Sequence, residues 1–378
     1  MKVPEVVRDA VYRTVMDEAD LDRAELRLAF DALLDVEDVR IRAALCATLS
    51  TALMQRGPRT HEVVALWDVL LEREGHHRNR TYVEALPDRG RVVTLMGSGK
   101  KGIRCLNIST PSSLLAAAAG AAVAKIGANC TSRITSSIEL VALLGVNLEL
   151  GEDAMLEVLN RTGYGYFRGG DAMAPMFFDT YKGTCVAPHA LMFGWPLLAP
   201  IRTDAFMYGL THWNVRTSAE VVDHFELAGE RGTVVSSRSG DARLDEALPF
   251  GTTHLCSVSE GRVALPKQHR FDVELDLAPS AGLDLAGSGR LDELLARGTT
   301  TEDIAVTVRT LAGKGSRTYG DALALNAALI AEAGGVAPDV PTGFALCRSA
   351  LDRGLALDKL REVVEATGGD QRALKRWL

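Results

Sequence analysis

The chain has 378 residues, of which 47% are apolar and 24% charged, ordinary proportions for a globular protein large enough for two lobes or one large α/β domain. Its formal net charge of −7 argues against a general nucleic-acid binder, whose footprint would be basic. The longest apolar run, 114–124, ends at Lys125 and is too short to cross a bilayer, and the N-terminus lacks an apolar signal core. Six scattered cysteines have no metal-ligand spacing, so a cytoplasmic protein without disulfide staples or a membrane segment is expected.

In chain order, residues 6–17, 23–34, 38–54 and 61–74 carry apolar side chains at three- and four-residue spacing and predict four helices with no strand among them. From about residue 90 the pattern changes to strand–helix alternation. Strands are expected at 92–95, 121–125, 207–210, 233–236 and 254–258, and helices near 111–119, 137–144, 152–160, 217–227, 303–312 and 319–333. The segment 163–200 is rich in Gly, Pro and aromatics and has little periodicity, which reads as a hinge or a binding loop. Helices at 343–353 and 357–366 follow. The expected fold class is α/β: a small all-helical N-terminal lobe, residues 1–78, plus a larger α/β lobe with a mainly parallel sheet, residues 79–162 and 191–378. Residues 163–190 are expected to return to the helical lobe.

The most informative stretch runs from Gly97-Ser-Gly-Lys-Lys-Gly102 to Asn107-Ile-Ser-Thr110. It follows an apolar strand and leads into an Ala-rich helix. Glycines let a backbone approach oxygen closely, and a helix N-terminus presents unpaired N–H groups, so the combination makes an anion cradle. Thr110-Pro111 suits the start of the helix, and Lys100 and Lys101 add charge for a phosphate.

These segments, with Val123-Ala-Lys-Ile-Gly-Ala-Asn129, Ser136-Ser-Ile-Glu139, Trp195-Pro-Leu-Leu-Ala-Pro200 and Arg243-Leu-Asp-Glu246, stand in the order and register of the anthranilate phosphoribosyltransferase family, which the chain resembles over nearly its whole length. That family shares its fold with pyrimidine nucleoside phosphorylases. The resemblance implies transfer of a phosphoribosyl group from phosphoribosyl pyrophosphate, with the enzyme positioning the reactants and stabilising the leaving group. It places Asn107, Ser109, Thr110, Lys125 and Ser137 at the donor, beside the loop residues Gly97, Ser98, Gly99, Lys100 and Lys101 read above as the anion cradle, and Ser109, Asp245 and Glu246 at Mg2+. It also implies a homodimer through the helical lobe.

The departures bear on both substrates. The family's loop Asp is Lys101 here, beside Lys100. Either ammonium groups take over part of the metal's work, or the donor carries a single phosphate, or one lysine points to solvent. On the acceptor side, the family's His and Asn are Ile126 and Ala128, its paired His are Ala172 and Met173, and Lys182 stands near the place of its carboxylate-binding Arg. Lysine lacks the bidentate fork of arginine. With Tyr166 and the aromatics Tyr164, Phe167, Phe177, Phe178, Tyr181 and Trp195, these residues suggest a pocket for a larger, flatter acceptor, with His189 a candidate base. The leading expectation is therefore a phosphoribosyltransferase acting on an aromatic or other small acceptor different from anthranilate. The alternatives are a genuine anthranilate phosphoribosyltransferase of tryptophan synthesis, a phosphorylase-like enzyme using a sugar 1-phosphate, and a non-catalytic ligand-binding relative.

Overall fold

The computed structural model describes residues 3–75, 80–99, 101–127, 136–170, 172–181, 189–227, 229, 231–259, 261–270, 291–296 and 298–377. Four helices come first: α1 (Glu5–Met16), α2 (Arg23–Leu34), α3 (Val39–Arg56) and α4 (Thr60–Glu74). Asp22 starts α2 through a capping box with Glu25, and the Asp38 carboxylate accepts from the first N–H groups of α3. The chain then runs through β1 (Thr81–Tyr82), β2 (Val92–Gly97), α5 (Ser109–Ala118), β3 (Ala122–Gly127), α6 (Ser137–Leu143), α7 (Glu152–Thr162), β4 (Tyr164–Arg168) and α8 (Pro175–Tyr181). A 3-10 segment, Ala190–Leu198, leads to β5 (Ile201–Arg202), β6 (Ala205–Gly209), α9 (Val215–His224), β7 (Arg231–Ser239), β8 (Ala242–Leu244), β9 (Thr252–Ser259), β10 (Arg262–Val263) and β11 (Lys267–Arg270). Helices Thr300–Leu311, Arg317–Ala333, Val340–Asp352, Leu355–Ala366 and Gln371–Lys375 follow.

The main sheet has the order β10-β9-β7-β6-β2-β3-β4. Its centre, from β7 across to β4, is parallel, as the strand–helix alternation predicts. Beyond β7 the sheet turns antiparallel, because β8 and β9 pair back on it and β10 and β11 on β9. Alternation along each strand divides the core. Val92, Met96, Ile126, Phe206 and Tyr208 face a cluster shared with α2, α4, α7 and α9, whereas Val93, Leu95, Val123 and Met207 face one shared with α5 and the C-terminal helices. The helix Arg317–Ala333 is buried almost all round and packs on α5 and on Val340–Asp352.

The segment expected to be aperiodic contains regular structure. β4 adds to the edge of the sheet beside β3, and α8 packs on α3 and α4. The 3-10 segment is buried throughout and also rests on the helical lobe, where the Trp67 indole N–H donates to the Leu191 carbonyl over 3.1 Å. Its approach is so close that a Cβ on Gly194 would lie 2.2 Å from Trp67 Nε1. Among the described residues no helix is long and apolar enough to cross a membrane.

Candidate functional site

β2 ends at Gly97, and the loop that follows is tied to its neighbours by backbone and hydroxyl groups. The Ser98 N–H donates to the Gly209 carbonyl over 2.8 Å, the Thr211 N–H donates to Ser98 Oγ over 2.9 Å, and the Thr211 hydroxyl donates to the Gly99 carbonyl. The loop reaches α5 through Asn107, whose carbonyl accepts the buried Tyr319 hydroxyl from the helix Arg317–Ala333. The residue before α5, Ile108, offers no capping side chain to the first N–H groups of the helix. The Thr110 hydroxyl is fully buried there and has no hydrogen-bond partner among the described residues. A buried hydroxyl left unpaired is uncommon in a native interior.

The acidic pair enters from the turn after β8. Asp245 and Glu246 line one small crevice with Ser109, Ser112 and Gly209, so the structure brings together the three residues that the resemblance assigned to metal. Glycine permits the approach: a Cβ on Gly209 would lie 1.8 Å from the Asp245 carbonyl oxygen, and one on Gly97 would lie 2.8 Å from Asp245 Oδ2. Asn326 fixes the same turn, accepting from the Ala247 N–H over 3.0 Å and donating to the Ala247 carbonyl over 2.8 Å.

The carboxylates are already engaged. Asp245 Oδ2 accepts the Gly99 N–H over 2.7 Å, Asp245 Oδ1 lies 2.8 Å from Lys101 Nζ, and Glu246 Oε2 pairs with the same ammonium. All three side chains are buried, Lys101 at 1% exposure. In this arrangement the pair does not fit a divalent ion, because an ammonium holds the space between the two carboxylates.

On the neighbouring strands, Lys125 is buried in β3 with its ammonium donating to the Ile126 carbonyl over 2.8 Å, opposite Tyr166 in β4. The Tyr166 hydroxyl donates to Ser137 Oγ over 2.9 Å, which links a donor-side candidate to an acceptor-side one. Ile126 points to the other face of the sheet and is buried, and Met173 packs partly buried against that same core. Lys100, Ala128 and Lys182 lie outside the described residues.

The aromatic residues expected to line one flat pocket separate by strand alternation. Tyr164 and Tyr166 pack on the α5 side, whereas Phe167, Phe177, Phe178 and Trp195 pack on the side of the helical lobe. Here they form core: Phe178 and Trp195 have ring centroids 5.4 Å apart, and His189 sits edge-on to Trp195 at 6.1 Å, itself buried. The side chain of Tyr181 lies outside the described residues. Thr211, Tyr319 and Asn326 support the site from far away in sequence, and their local patterns carry no sign of it.

The His212 ring lies beyond β6, one residue from Thr211. Its Nδ1 accepts the Asn214 N–H over 3.1 Å, and its ring stacks on Trp213. Burial, helped by the positive Arg243, lowers its pKa to about 4.

Residues 89–357 match the model of a glycosyl transferase family, a/b domain. An anthranilate phosphoribosyltransferase of Thermus thermophilus is 30% identical over 356 residues, covering 92% of this chain and 96% of its own, and one of Synechococcus elongatus is 29% identical over 328 residues, covering 85% and 86%. The crystal structure of a Thermus thermophilus anthranilate phosphoribosyltransferase superposes with a TM-score of 0.70 at 26% identity, covering 95% of this chain and 99% of that one. The Saccharomyces cerevisiae enzyme, solved in complex with phosphoribosyl pyrophosphate and Mg, gives 0.72 at 15% identity over 97% and 98%, which shows a shared fold.

Proposed function

The chain belongs to the glycosyl transferase family of that α/β domain and is an enzyme of the transferase class, and on that premise we propose that it transfers the 5-phosphoribosyl group of phosphoribosyl pyrophosphate to an aromatic amine, anthranilate being the first acceptor to test. The observation that carries this reading is the uncapped start of α5, with the buried, unpartnered Thr110 hydroxyl behind a glycine loop. Backbone N–H groups at a helix start suit phosphate oxygens, and the positive end of the helix dipole favours their charge.

In the reaction the bond between ribose C1 and pyrophosphate breaks, a new bond forms from C1 to the acceptor nitrogen, and that nitrogen releases a proton. The protein's part is positioning and stabilisation of the departing charge. The α5 N-terminus and Thr110 would hold leaving-group oxygens. Tyr319 and Thr211, by fixing the Asn107 and Gly99 carbonyls, would keep the loop in one shape beside them. Mg2+ belongs to the reading as a companion of the donor, whose pyrophosphate oxygens are hard ligands for it.

The names of the relatives favour anthranilate over the different acceptor that the departures at Ile126, Ala128, Ala172, Met173 and Lys182 suggested. A second reading, another aromatic amine, keeps one support: the β3 position where the family resemblance implies a histidine carries the buried, apolar Ile126. We also propose a homodimer through the helical lobe, since Tyr12 and Met16 of α1 and Leu28 of α2 are each at least 60% exposed.

The test is release of pyrophosphate from phosphoribosyl pyrophosphate and Mg2+ with anthranilate, and then with other aromatic amines. Release that requires anthranilate is the expected result. Release only with other amines selects the second reading, and a protein that does not bind the donor overturns both.

A further inference from the structure

Lys101 carries a consequence for the metal chemistry of this site. Two carboxylates alone match the charge of one divalent ion. With the ammonium between them the set carries a single negative charge, so an added dication would leave a buried excess of positive charge. Magnesium also demands close, near-octahedral oxygen ligation and sheds its water reluctantly. To admit it, Lys101 would have to leave both carboxylates, and Asp245 Oδ2 is held besides by the Gly99 N–H. The ammonium cannot withdraw cheaply, since its side chain is 1% exposed.

We propose that Lys101 is a built-in counter-cation that closes the Asp245–Glu246 pair to divalent metal, so that the only ion the enzyme uses is the one chelated by its phosphorylated donor. The carboxylates thereby become anchors of the glycine loop: they hold Gly99 through its N–H and Lys101 through its ammonium. This deepens the donor reading above and rests on it for the role of the donor's ion, whereas the closed state of the pair is a property of the protein alone.

The experiment is Mn2+ titration of the donor-free protein, followed by the electron paramagnetic resonance of free Mn2+. Wild type is expected to show the same weak binding as Glu246→Gln. Lys101→Asp is expected to gain a site tighter by on the order of tenfold or more, and the gain is expected to vanish in Lys101→Asp/Glu246→Gln. In parallel, Mn2+ should raise the melting temperature of Lys101→Met and leave wild type and Lys101→Arg unmoved. A wild-type Mn2+ site that Glu246→Gln abolishes overturns the proposal, and that comparison needs no Lys101 variant to fold. Because no donor is present, the result is independent of the donor reading, which a separate calorimetric titration with phosphoribosyl pyrophosphate, in Mg2+ and in a chelator, decides.

Discussion

His212 is the residue at which the surroundings of the loop can be read through pH. Its Nδ1 accepts a backbone N–H, so the ring must stay neutral to keep that bond, and burial with the nearby Arg243 holds its pKa at about 4. In the unfolded chain the ring takes a proton at its ordinary value near 6.5. Between those two values the unfolded state binds more protons, so stability rises with pH across that window. The contribution is complete above about pH 6.5 and is lost as pH falls towards 4. At full burial it would approach about 3 kcal/mol, and because the ring is only half-buried, roughly 1–2 kcal/mol is the reasonable expectation. Urea denaturation at a series of pH values should show this slope in wild type and a flatter one in His212→Asn, which keeps an acceptor for Asn214. Equal slopes would remove His212 from the account.

At the scale of elements, Asn326 joins the helix Arg317–Ala333 to the turn that carries Asp245 and Glu246, using both its oxygen and its nitrogen. Asn326→Ala would leave the buried Ala247 N–H and carbonyl without these partners, at about 1–3 kcal/mol for each unsatisfied group. We expect Asn326→Ala to lower stability by roughly 2–6 kcal/mol on that basis and to weaken donor affinity, because the turn that anchors the loop is loosened. Donor binding at wild-type strength in a folded Asn326→Ala would show that the turn is held by other contacts.

The same scale explains what could be read from sequence. The four N-terminal helices stand out because their apolar residues recur at three- and four-residue spacing, and the strands at Val92, Ala122 and Ala205 because they are short runs of mostly apolar residues buried on both faces. β4 escapes because Gly165 interrupts five residues otherwise rich in aromatics. The gap is filled from the neighbouring strand position, since a Cβ there would lie 2.7 Å from the Phe167 ring. The order of the glycine loop, Asn107 and Ser109-Thr110 before α5 was legible as a motif. The ion pairs of Lys101 with Asp245 and Glu246 were not, since about 145 positions of chain separate them and only the pairing of β6 with β2 and β7 brings the two ends together.

Across the whole molecule, the parallel sheet separates two cores. One lies against α5 and the C-terminal helices, and the other joins the sheet to the helical lobe through Trp67 and the buried Ala190–Leu198 segment. The lobe is thus fixed to the sheet on its inner side, and its outer side presents apolar residues to solvent. Tyr12 and Met16 lie one turn apart on α1, with Val15 beside them and Leu28 on the adjoining α2. A charged lobe surface would dissolve freely, whereas an apolar stripe on two packed helices gains by meeting a copy of itself across a two-fold axis. Light scattering should therefore give wild type twice the chain mass. Tyr12→Glu/Leu28→Glu places four like charges in the symmetric contact, two from each copy, and should run at the mass of one chain with its circular dichroism unchanged. A double variant that remains dimeric would move the contact away from α1 and α2, and a monomeric wild type would leave this stripe without the partner proposed for it.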